Sequence, residues 1–278
     1  MNSKNNFKIN GKITKFITYH DDTLPVIIMI HGFRGTHHGL DLIAKQLPDF
    51  HIIIPDLPGF GGTEPFDDAH TLDNYVSWLD LFIQHLQLSN PPILLGHSFG
   101  SIVAASFAAK HKNVISKLIL VNPIGAPALQ GPKAIMTRLA LFYYWIGRKL
   151  PKQVSTVWLS AKPIVMIMSI TMAKTKNKDL RKFIHNQHLT HFSTFANPTV
   201  VAEAFRTSVQ NTVRDTAANI KTPTLLIAGD IDDITPLNKQ QELLQLFPNA
   251  KLSIIKNVGH LTHYETPDQI ADEIKKFI

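Results

Sequence analysis

The feature that most constrains the fold is a glycine-flanked serine in the pentapeptide GHSFG at 96–100, which directly follows the apolar run 92–95. Glycines two residues before and after the serine remove Cβ atoms that would clash where a strand turns sharply into a helix. Small and apolar residues at 102–109 are typical of a helix packed closely against a sheet. The sequence therefore predicts a strand, a nucleophile elbow carrying Ser98 and a buried helix, in that order.

Short apolar runs alternate with helix-compatible segments on both sides of this elbow. Predicted strands lie at 26–30, 51–54, 93–95, 118–121, 224–228 and 252–255, and predicted helices at 36–47, 71–88 and 236–247 and from 266 onward. Asn10-Gly11 predicts a hairpin turn between strands at 7–10 and 12–19. Thr235 is the expected N-cap of the third helix, and residues 266–269 form an expected capping box. This alternation predicts an α/β fold with a mostly parallel, doubly wound sheet.

The alternation stops between residues 126 and 219, where longer helix-compatible stretches are rich in Lys, Met and aromatic residues. The sequence therefore predicts two parts, a core formed by 1–125 and 220–278 and an inserted helical cap at 126–219. Net charge is +7, and the predicted cap holds thirteen Lys and Arg against three acidic residues. The basic character of the chain thus belongs to the predicted cap.

Activation of a serine hydroxyl near neutral pH requires a base, and the base requires a group that orients it. His260 follows the last predicted strand and precedes the last helix, so it is the predicted base. The loop after the strand at 224–228 offers three candidate acids, Asp230, Asp232 and Asp233. All three stand where open parallel sheets place their ligands, and the spacing alone does not choose among them.

Several motifs together resemble the α/β-hydrolase superfamily, and in particular its capped serine hydrolases of the esterase and lipase type. They are HGF at 31–33, DLPGFGGT at 56–63, GHSFG at 96–100, GDIDDITP at 229–236, and VGH at 258–260 with ETP at 265–267. The resemblance implies that Asp232 is the acid and that the backbone N–H groups of Phe33 and Phe99 form an oxyanion hole. In some relatives the acid follows the strand before the cap, where this chain has Asn122.

Large apolar side chains of the predicted cap suggest an adaptable pocket for an apolar acyl group. The residues expected to bind substrate there are Trp145, Trp158 and Met166. Basic residues interleaved with this apolar surface predict peripheral contact with an anionic membrane, with an ordinary solvated basic face as the alternative. Nucleic-acid binding is not expected because no reader module is recognisable. His185, His188 and His191 are interpreted as a polar helix face, and no metal is expected.

These features predict a serine hydrolase that cleaves carboxylic esters without a cofactor. Ser98 would attack, His260 would relay the proton, Asp232 would orient His260, and water would hydrolyse the acyl-enzyme. Two alternatives stay open: a hydrolase of carbon–carbon bonds in vinylogous diketo acids, and a non-catalytic ligand-binding protein of the same fold. The first depends on a cap arginine to hold the substrate carboxylate, and the candidates are Arg138, Arg148, Arg181, Arg206 and Arg214.

The first twenty residues lack the apolar core of a secretory signal, and the chain has no cysteine. Disulfides and thiolate metal sites are therefore excluded, and a reducing interior suits the composition. The sequence predicts a cytoplasmic protein that is peripheral to the membrane where the cap makes contact.

Overall fold

An eight-stranded sheet forms the centre of the computed structural model, which describes residues 2–129 and 134–278. The strands are β1 (Asn2–Ile9), β2 (Lys12–Tyr19), β3 (Val26–Ile30), β4 (His51–Pro55), β5 (Ile93–His97), β6 (Lys117–Val121), β7 (Thr224–Gly229) and β8 (Ala250–Ile255). Their order is β1-β2-β4-β3-β5-β6-β7-β8. β1 and β2 form the expected hairpin, β2 runs antiparallel to β4, and the remaining pairs are parallel. The predicted mostly parallel sheet is confirmed.

Helices cover both faces of this sheet, which explains why its central strands are continuous apolar runs. The helices of the sheet layers are α1 (Asp41–Lys45), α2 (Leu72–His85), α3 (Phe99–Lys110), α9 (Leu237–Leu244), α10 (Thr262–Glu265) and α11 (Pro267–Phe277). Ile28 and Leu94 point to one face and pack with Ile102 of α3 in a cluster that also includes residues of α2 and α9. Their neighbours Ile27 and Leu95 point to the opposite face, in a second cluster with residues of α1 and α11.

Three helix starts differ from the sequence-based expectation. The helix predicted at 36–47 is a 3-10 turn at His37–Gly39 followed by the short α1. Thr235 does not cap α9, because its hydroxyl donates to the Asp232 carboxylate and the helix begins one residue later, after Pro236. Thr266 stands at the N-cap of α11 as expected, but it makes no side-chain cap and its hydroxyl donates to the Thr262 carbonyl. Each of these two hydroxyls therefore donates to an acceptor three or four residues earlier in the chain instead of capping its helix.

Between β6 and β7, in the stretch that the sequence assigns to a cap, the described residues form five further α-helices. They are α4 (Ala134–Lys149), α5 (Lys152–Leu159), α6 (Lys162–Met172), α7 (Lys178–His191) and α8 (Pro198–Gln210), here named the cap helices. The segment between α7 and α8 joins the core through a β-bridge between Phe60 and Phe195. Residues 130–133, near the start of the predicted cap, lie outside the described residues.

Candidate active site

Ser98 lies at the turn where β5 ends and α3 begins, with a backbone φ of 52°. A non-glycine residue held at this φ stores local strain, on the order of 1–3 kcal/mol. A Cβ on Gly96 would lie 2.3 Å from the Gly100 carbonyl oxygen, and one on Gly100 would lie 2.3 Å from the Ile30 carbonyl oxygen. The two glycines of the pentapeptide thus allow the close backbone approach that presents Ser98, whose side chain is partly exposed.

Ser98, His260 and Asp232 form one continuous hydrogen-bonded chain. His260 Nε2 lies 2.8 Å from Ser98 Oγ, and His260 Nδ1 lies 2.8 Å from Asp232 Oδ2. Ser98 follows β5, Asp232 follows β7 and His260 follows β8, so all three extend from the carboxyl edge of the sheet, where such folds bind their ligands. The competing acids lie elsewhere: Asp230 pairs with Lys256 at 3.8 Å and Asp233 with Lys174.

The Asp232 carboxylate is buried and accepts hydrogen bonds on both oxygens. Oδ1 accepts from the backbone N–H groups of Ile234 and Thr235 at 2.7 and 3.0 Å. Burial by itself would raise the pKa of this carboxyl. The charge and hydrogen bond of His260, together with the hydrogen bonds from Thr235, outweigh burial and hold the pKa well below its ordinary value. Asp232 is therefore an anion that can orient His260 and stabilise its protonated form.

Asn122, which directly follows β6, completes the surroundings of Asp232. Its Nδ2 donates to Asp232 Oδ2 at 2.7 Å and to the Gly259 carbonyl at 3.2 Å, and its Oδ1 accepts from the Thr262 hydroxyl. The amide therefore ties the acid to the backbone next to His260. In the sequence, Asn122 stands out only as a position where some relatives carry an acid. Its position at the end of a central strand was the signal that could have identified it as a positioning residue.

His97 lies beside the elbow and contacts the backbone of His260. Its Nε2 donates to the His260 carbonyl at 3.4 Å, and its ring centre lies 4.1 Å from that of His263. Burial, with the neighbouring His260, lowers the pKa of His97 to about 3, and burial also holds the pKa of His263 well below its ordinary value. Both rings are therefore neutral near neutral pH, and neither places a positive charge beside His260.

The loop at 31–35 runs against the elbow, as an oxyanion hole requires. A Cβ on Gly32 would lie 3.2 Å from Ser98 Cβ, which places the following residue, Phe33, next to the serine. Phe99 is the first residue of α3, where backbone N–H groups have no acceptor within the helix. Both predicted donors therefore flank Ser98 in the chain or in space.

The side chains of these two phenylalanines face different parts of the molecule. The Phe33 ring packs against Tyr144 of α4 and Phe205 of α8, with ring centres 5.8 and 5.4 Å apart. Phe99 is buried in the main core and packs edge-on against Tyr75. Phe33, Tyr144 and Phe205 thus form an aromatic wall where the loop at 31–35, here named the oxyanion loop, meets the cap helices. Neither Tyr144 nor Phe205 was predicted from the sequence to be part of the site.

Arg34 links the same loop to the cap helices. This buried side chain donates from Nε to the Phe192 carbonyl at 2.8 Å and from Nη2 to the Leu159 carbonyl at 2.9 Å. Its guanidinium also lies 5.2 Å from the Phe192 ring centre and 5.4 Å from that of Phe195. One core residue therefore holds the C-terminal ends of α5 and α7.

The structure places the residues expected to bind substrate on the cap helices, two of them with exposed rings. Trp145 is 55% exposed and stacks on Phe142, and Trp158 is 40% exposed and packs beside Tyr143. Met166 is partly buried in α6. The aromatic wall, rather than either tryptophan, adjoins the oxyanion loop. Substrate binding by Trp145, Trp158 and Met166 stays a prediction.

Comparison with known proteins agrees with this geometry. A sequence model of the alpha/beta hydrolase fold matches residues 25–267. The chain is 25% identical over 269 residues to Lipase 1 of Psychrobacter immobilis, covering 90% of this chain and 76% of the lipase. It is 26% identical over 260 residues to a monoacylglycerol lipase of Homo sapiens, covering 91% and 75% of the two chains.

A solved structure of an alpha/beta hydrolase enzyme from a deep-sea metagenome library matches with a TM-score of 0.80 at 20% identity. That match covers 98% of this chain and 96% of the other. The eight-stranded sheet, the serine at the elbow and the sequence match across most of the chain agree, and the chain belongs to the alpha/beta hydrolase fold family.

Proposed function

We propose that this protein is a serine hydrolase of carboxylic esters in which Ser98 is the nucleophile, His260 the base and Asp232 the orienting acid. The observation that carries the proposal is the pair of 2.8 Å contacts that joins the three side chains through the two nitrogens of His260. The relatives named as lipases support ester cleavage as the reaction class.

The arrangement is suited to a two-step reaction. His260 Nε2 takes the Ser98 proton while Oγ attacks the ester carbonyl carbon, and the resulting oxyanion accepts hydrogen bonds from the N–H groups of Phe33 and Phe99. Each such donor stabilises the transition state by roughly 3–4 kcal/mol. Collapse of the tetrahedral intermediate breaks the ester C–O bond, and His260 gives its proton to the departing alcohol. His260 then takes a proton from water as the water oxygen attacks the acyl-enzyme carbonyl. The bond between the acyl carbon and Oγ breaks, His260 returns the proton to Ser98 Oγ, and the carboxylic acid leaves.

We place an apolar acyl group against the aromatic wall of Phe33, Tyr144 and Phe205. Tyr144 belongs to a buried apolar cluster with Leu159 and Val201, and Phe33 and Phe205 pack against that cluster. An acyl chain in contact with these side chains would lose its water and bury apolar surface, which favours binding. Phe33 belongs to the aromatic wall and also supplies one predicted oxyanion donor. The ester carbonyl and the acyl chain of a bound substrate would therefore both lie beside the oxyanion loop.

The positions of the cap arginines favour ester cleavage over carbon–carbon cleavage. Arg148 lies 3.8 Å from Glu203, Arg214 lies 3.8 Å from Glu242, and Arg181 donates to the Thr175 carbonyl. Arg138 and Arg206 are exposed. A diketo acid needs a cation beside the nucleophile to hold its carboxylate, and these five guanidinium groups are engaged elsewhere or face solvent.

The test combines a covalent probe with a substrate panel. A fluorophosphonate should label the folded protein but not its Ser98→Ala variant, which separates an enzyme from a non-catalytic binding protein. p-Nitrophenyl esters of graded acyl length, assayed beside a dienol diketo acid, should be hydrolysed in preference to the diketo acid. Absence of labelling in folded protein, or turnover of the diketo acid alone, would overturn the proposal.

A further inference from the structure

The exposed apolar side chains of this protein are concentrated on the cap helices. Of the fifteen large hydrophobic residues that are exposed in the described part of the chain, eleven belong to α4, α5, α6 and α7. Helices of a protein that only meets water normally turn charged or polar side chains outward. A concentration of exposed apolar side chains instead marks a surface that binds a ligand, a protein partner or a membrane.

α4 carries a continuous apolar stripe on its outer side. Ile135, Leu139 and Phe142 are spaced at i, i+4 and i+7, which aligns them on one face of a helix. Trp145 extends the stripe by stacking on Phe142, with ring centres 5.8 Å apart. Tyr144 points the other way and is buried in the aromatic wall. α4 therefore has two apolar sides, one packed in the protein interior and one exposed at the surface.

α5 packs against α4 and continues this pattern, and α6 follows α5 closely in the chain. Val157 of α5 is 73% exposed and Ile167 of α6 is 64% exposed. α5 is fixed to α4 by hydrogen bonds from the Tyr143 hydroxyl to the Trp158 carbonyl and from the Ser155 hydroxyl to the Gly147 carbonyl. We name the outer surface of α4, α5 and α6 the apolar cap face, represented by Leu139, Phe142, Trp145, Val157, Ile167 and Ile170.

The stretch Gln153–Met172 is long and apolar enough, by length and composition, to cross a bilayer, and 22% of it is buried. The structure divides it into α5 and α6, of 8 and 11 residues. At 1.5 Å per residue these helices are about 12 and about 16 Å long, whereas the bilayer core is about 30 Å thick. Neither helix spans a bilayer in this fold. Short helices with exposed apolar sides suit a position in the plane of the interface.

Basic side chains beside the apolar cap face indicate which kind of surface it would bind. Arg138 lies three residues after Ile135 and four before Phe142, so it borders the apolar stripe, and Lys149 borders it near Trp145. Lys162 is exposed at the start of α6. The predicted cap segment holds thirteen basic residues against three acidic ones. A second copy of this chain would present the same positive face, which disfavours a symmetric dimer, whereas anionic headgroups are complementary.

We infer that the apolar cap face docks on an anionic phospholipid bilayer, with its apolar side chains at the acyl boundary and Arg138, Lys149 and Lys162 at the headgroups. The inference goes beyond ester hydrolysis, because docking uses neither Ser98 nor the oxyanion loop. If both hold, the docked face would bring the aromatic wall close to esters that partition into membranes. Binding is therefore measured on the Ser98→Ala protein as well as on the wild type, so that failure to dock and failure to hydrolyse are separate results.

The experiment is co-sedimentation with vesicles of phosphatidylcholine alone and of phosphatidylcholine mixed with phosphatidylglycerol, at low and high salt. The wild type should bind the anionic vesicles more tightly, and high salt should weaken that binding. Leu139→Ser/Phe142→Ser should weaken binding to the anionic vesicles about tenfold or more while leaving hydrolysis of a soluble acetate ester unchanged. Arg138→Glu/Lys149→Glu should abolish the preference for anionic vesicles.

The matched control is Ile254→Ser/Lys251→Glu on β8, which removes one exposed apolar and one basic side chain from a sheet edge outside the cap helices. This control should bind as the wild type does. Circular dichroism checks that every variant is folded, and quenching of tryptophan fluorescence by brominated acyl chains reports insertion in the unmodified protein. Equal binding to both vesicles, no binding, wild-type binding by Leu139→Ser/Phe142→Ser, or a dimer that hides the face would each overturn the inference.

Discussion

Replacing Asn122 by alanine removes one hydrogen bond from the Asp232 carboxylate and leaves the carboxylate in place. Asn122 Nδ2 lies 2.7 Å from Asp232 Oδ2, the same oxygen that faces His260 Nδ1. The other oxygen keeps its two backbone donors, the N–H groups of Ile234 and Thr235. The variant should therefore keep an ionised acid that is less firmly aligned with His260.

The size of the effect follows from these contacts. A hydrogen bond to a charged group contributes about 1.5–3 kcal/mol. If about 1.4 kcal/mol of this energy stabilises the transition state, in which His260 carries the Ser98 proton, its loss lowers kcat about tenfold. Loss of the carboxylate in Asp232→Asn should be far more severe, on the order of ten-thousandfold. Asn122→Ala should therefore fall between the wild type and Asp232→Asn, with KM little changed.

The same substitution should shift the acid sensitivity of folding. The pKa of Asp232 is depressed in the folded protein, so the stabilisation is present above the ordinary carboxyl pKa and is lost as pH falls through the folded value. Removing the Asn122 donor raises that folded pKa, so the stabilisation at neutral pH should shrink and its loss should begin at higher pH. Urea unfolding at neutral and at acidic pH measures both changes.

The assay is kcat and KM on a p-nitrophenyl ester over a range of pH. Thr262→Val is the matched control, because it removes a hydrogen bond to Asn122 Oδ1 but leaves the Asn122 donor beside Asp232. It should lower kcat less than Asn122→Ala does. Full activity in a destabilised Asn122→Ala protein would refute a positioning role. A loss as large as that of Asp232→Asn would refute the view that the remaining donors, the two backbone N–H groups and the Thr235 hydroxyl, keep the acid in place.

Three further outcomes are expected. Arg34→Met should lower both the thermal midpoint and kcat on a short acetate ester, because the oxyanion loop loses its bonds to the ends of α5 and α7; wild-type values of both would contradict this. Phe205→Ala should raise the ratio of kcat/KM for a bulky over a short acyl ester about tenfold by opening the aromatic wall; an unchanged ratio would place the acyl group elsewhere. Burial lowers the pKa of His70 to about 4, so the unfolded chain binds its proton first and stability falls as pH drops from about 6.5 to about 4. His70→Gln should remove about 3 kcal/mol of that loss in urea unfolding.

Much of the candidate site could be predicted because its parts stand at strand ends. Ser98, Asp232 and His260 each occupy a short loop directly after a buried apolar strand, and the carboxyl ends of parallel strands meet at one edge. The choice among Asp230, Asp232 and Asp233 needed the family register, since spacing alone leaves three acids within four residues. The structure explains the choice, because Asp230 and Asp233 pair with Lys256 and Lys174, whereas Asp232 faces His260.

Other features depend on contacts that a helix-cap pattern or helical spacing does not reveal. Thr235 and Thr266 both carry the local pattern of a helix cap, yet each hydroxyl bonds to another group. Tyr144 and Trp145 are adjacent aromatic residues in α4, but one lies in the interior and the other is exposed. Local sequence gives their helical spacing, whereas the packing of α4 against α8 decides which side is covered. The interior wall and the apolar cap face are therefore visible only once the fold is known.

The loop at 31–35 makes the cap helices part of the proposed catalytic apparatus. Phe33 supplies a predicted oxyanion donor through its backbone and joins the aromatic wall through its ring. The next residue, Arg34, is held at a φ of 56° and fixes the ends of α5 and α7 with its guanidinium. Displacement of α5 would therefore act on the backbone that positions the Phe33 N–H group. α5 also contributes to the apolar cap face, so a bilayer bound to this face would act on α5 and, through Arg34 and Phe33, on the oxyanion hole. Docking should then raise kcat on a soluble ester in the wild type but not in Arg34→Met. An equal change in kcat for the two proteins on addition of anionic vesicles would show that Arg34 does not couple docking to the oxyanion hole.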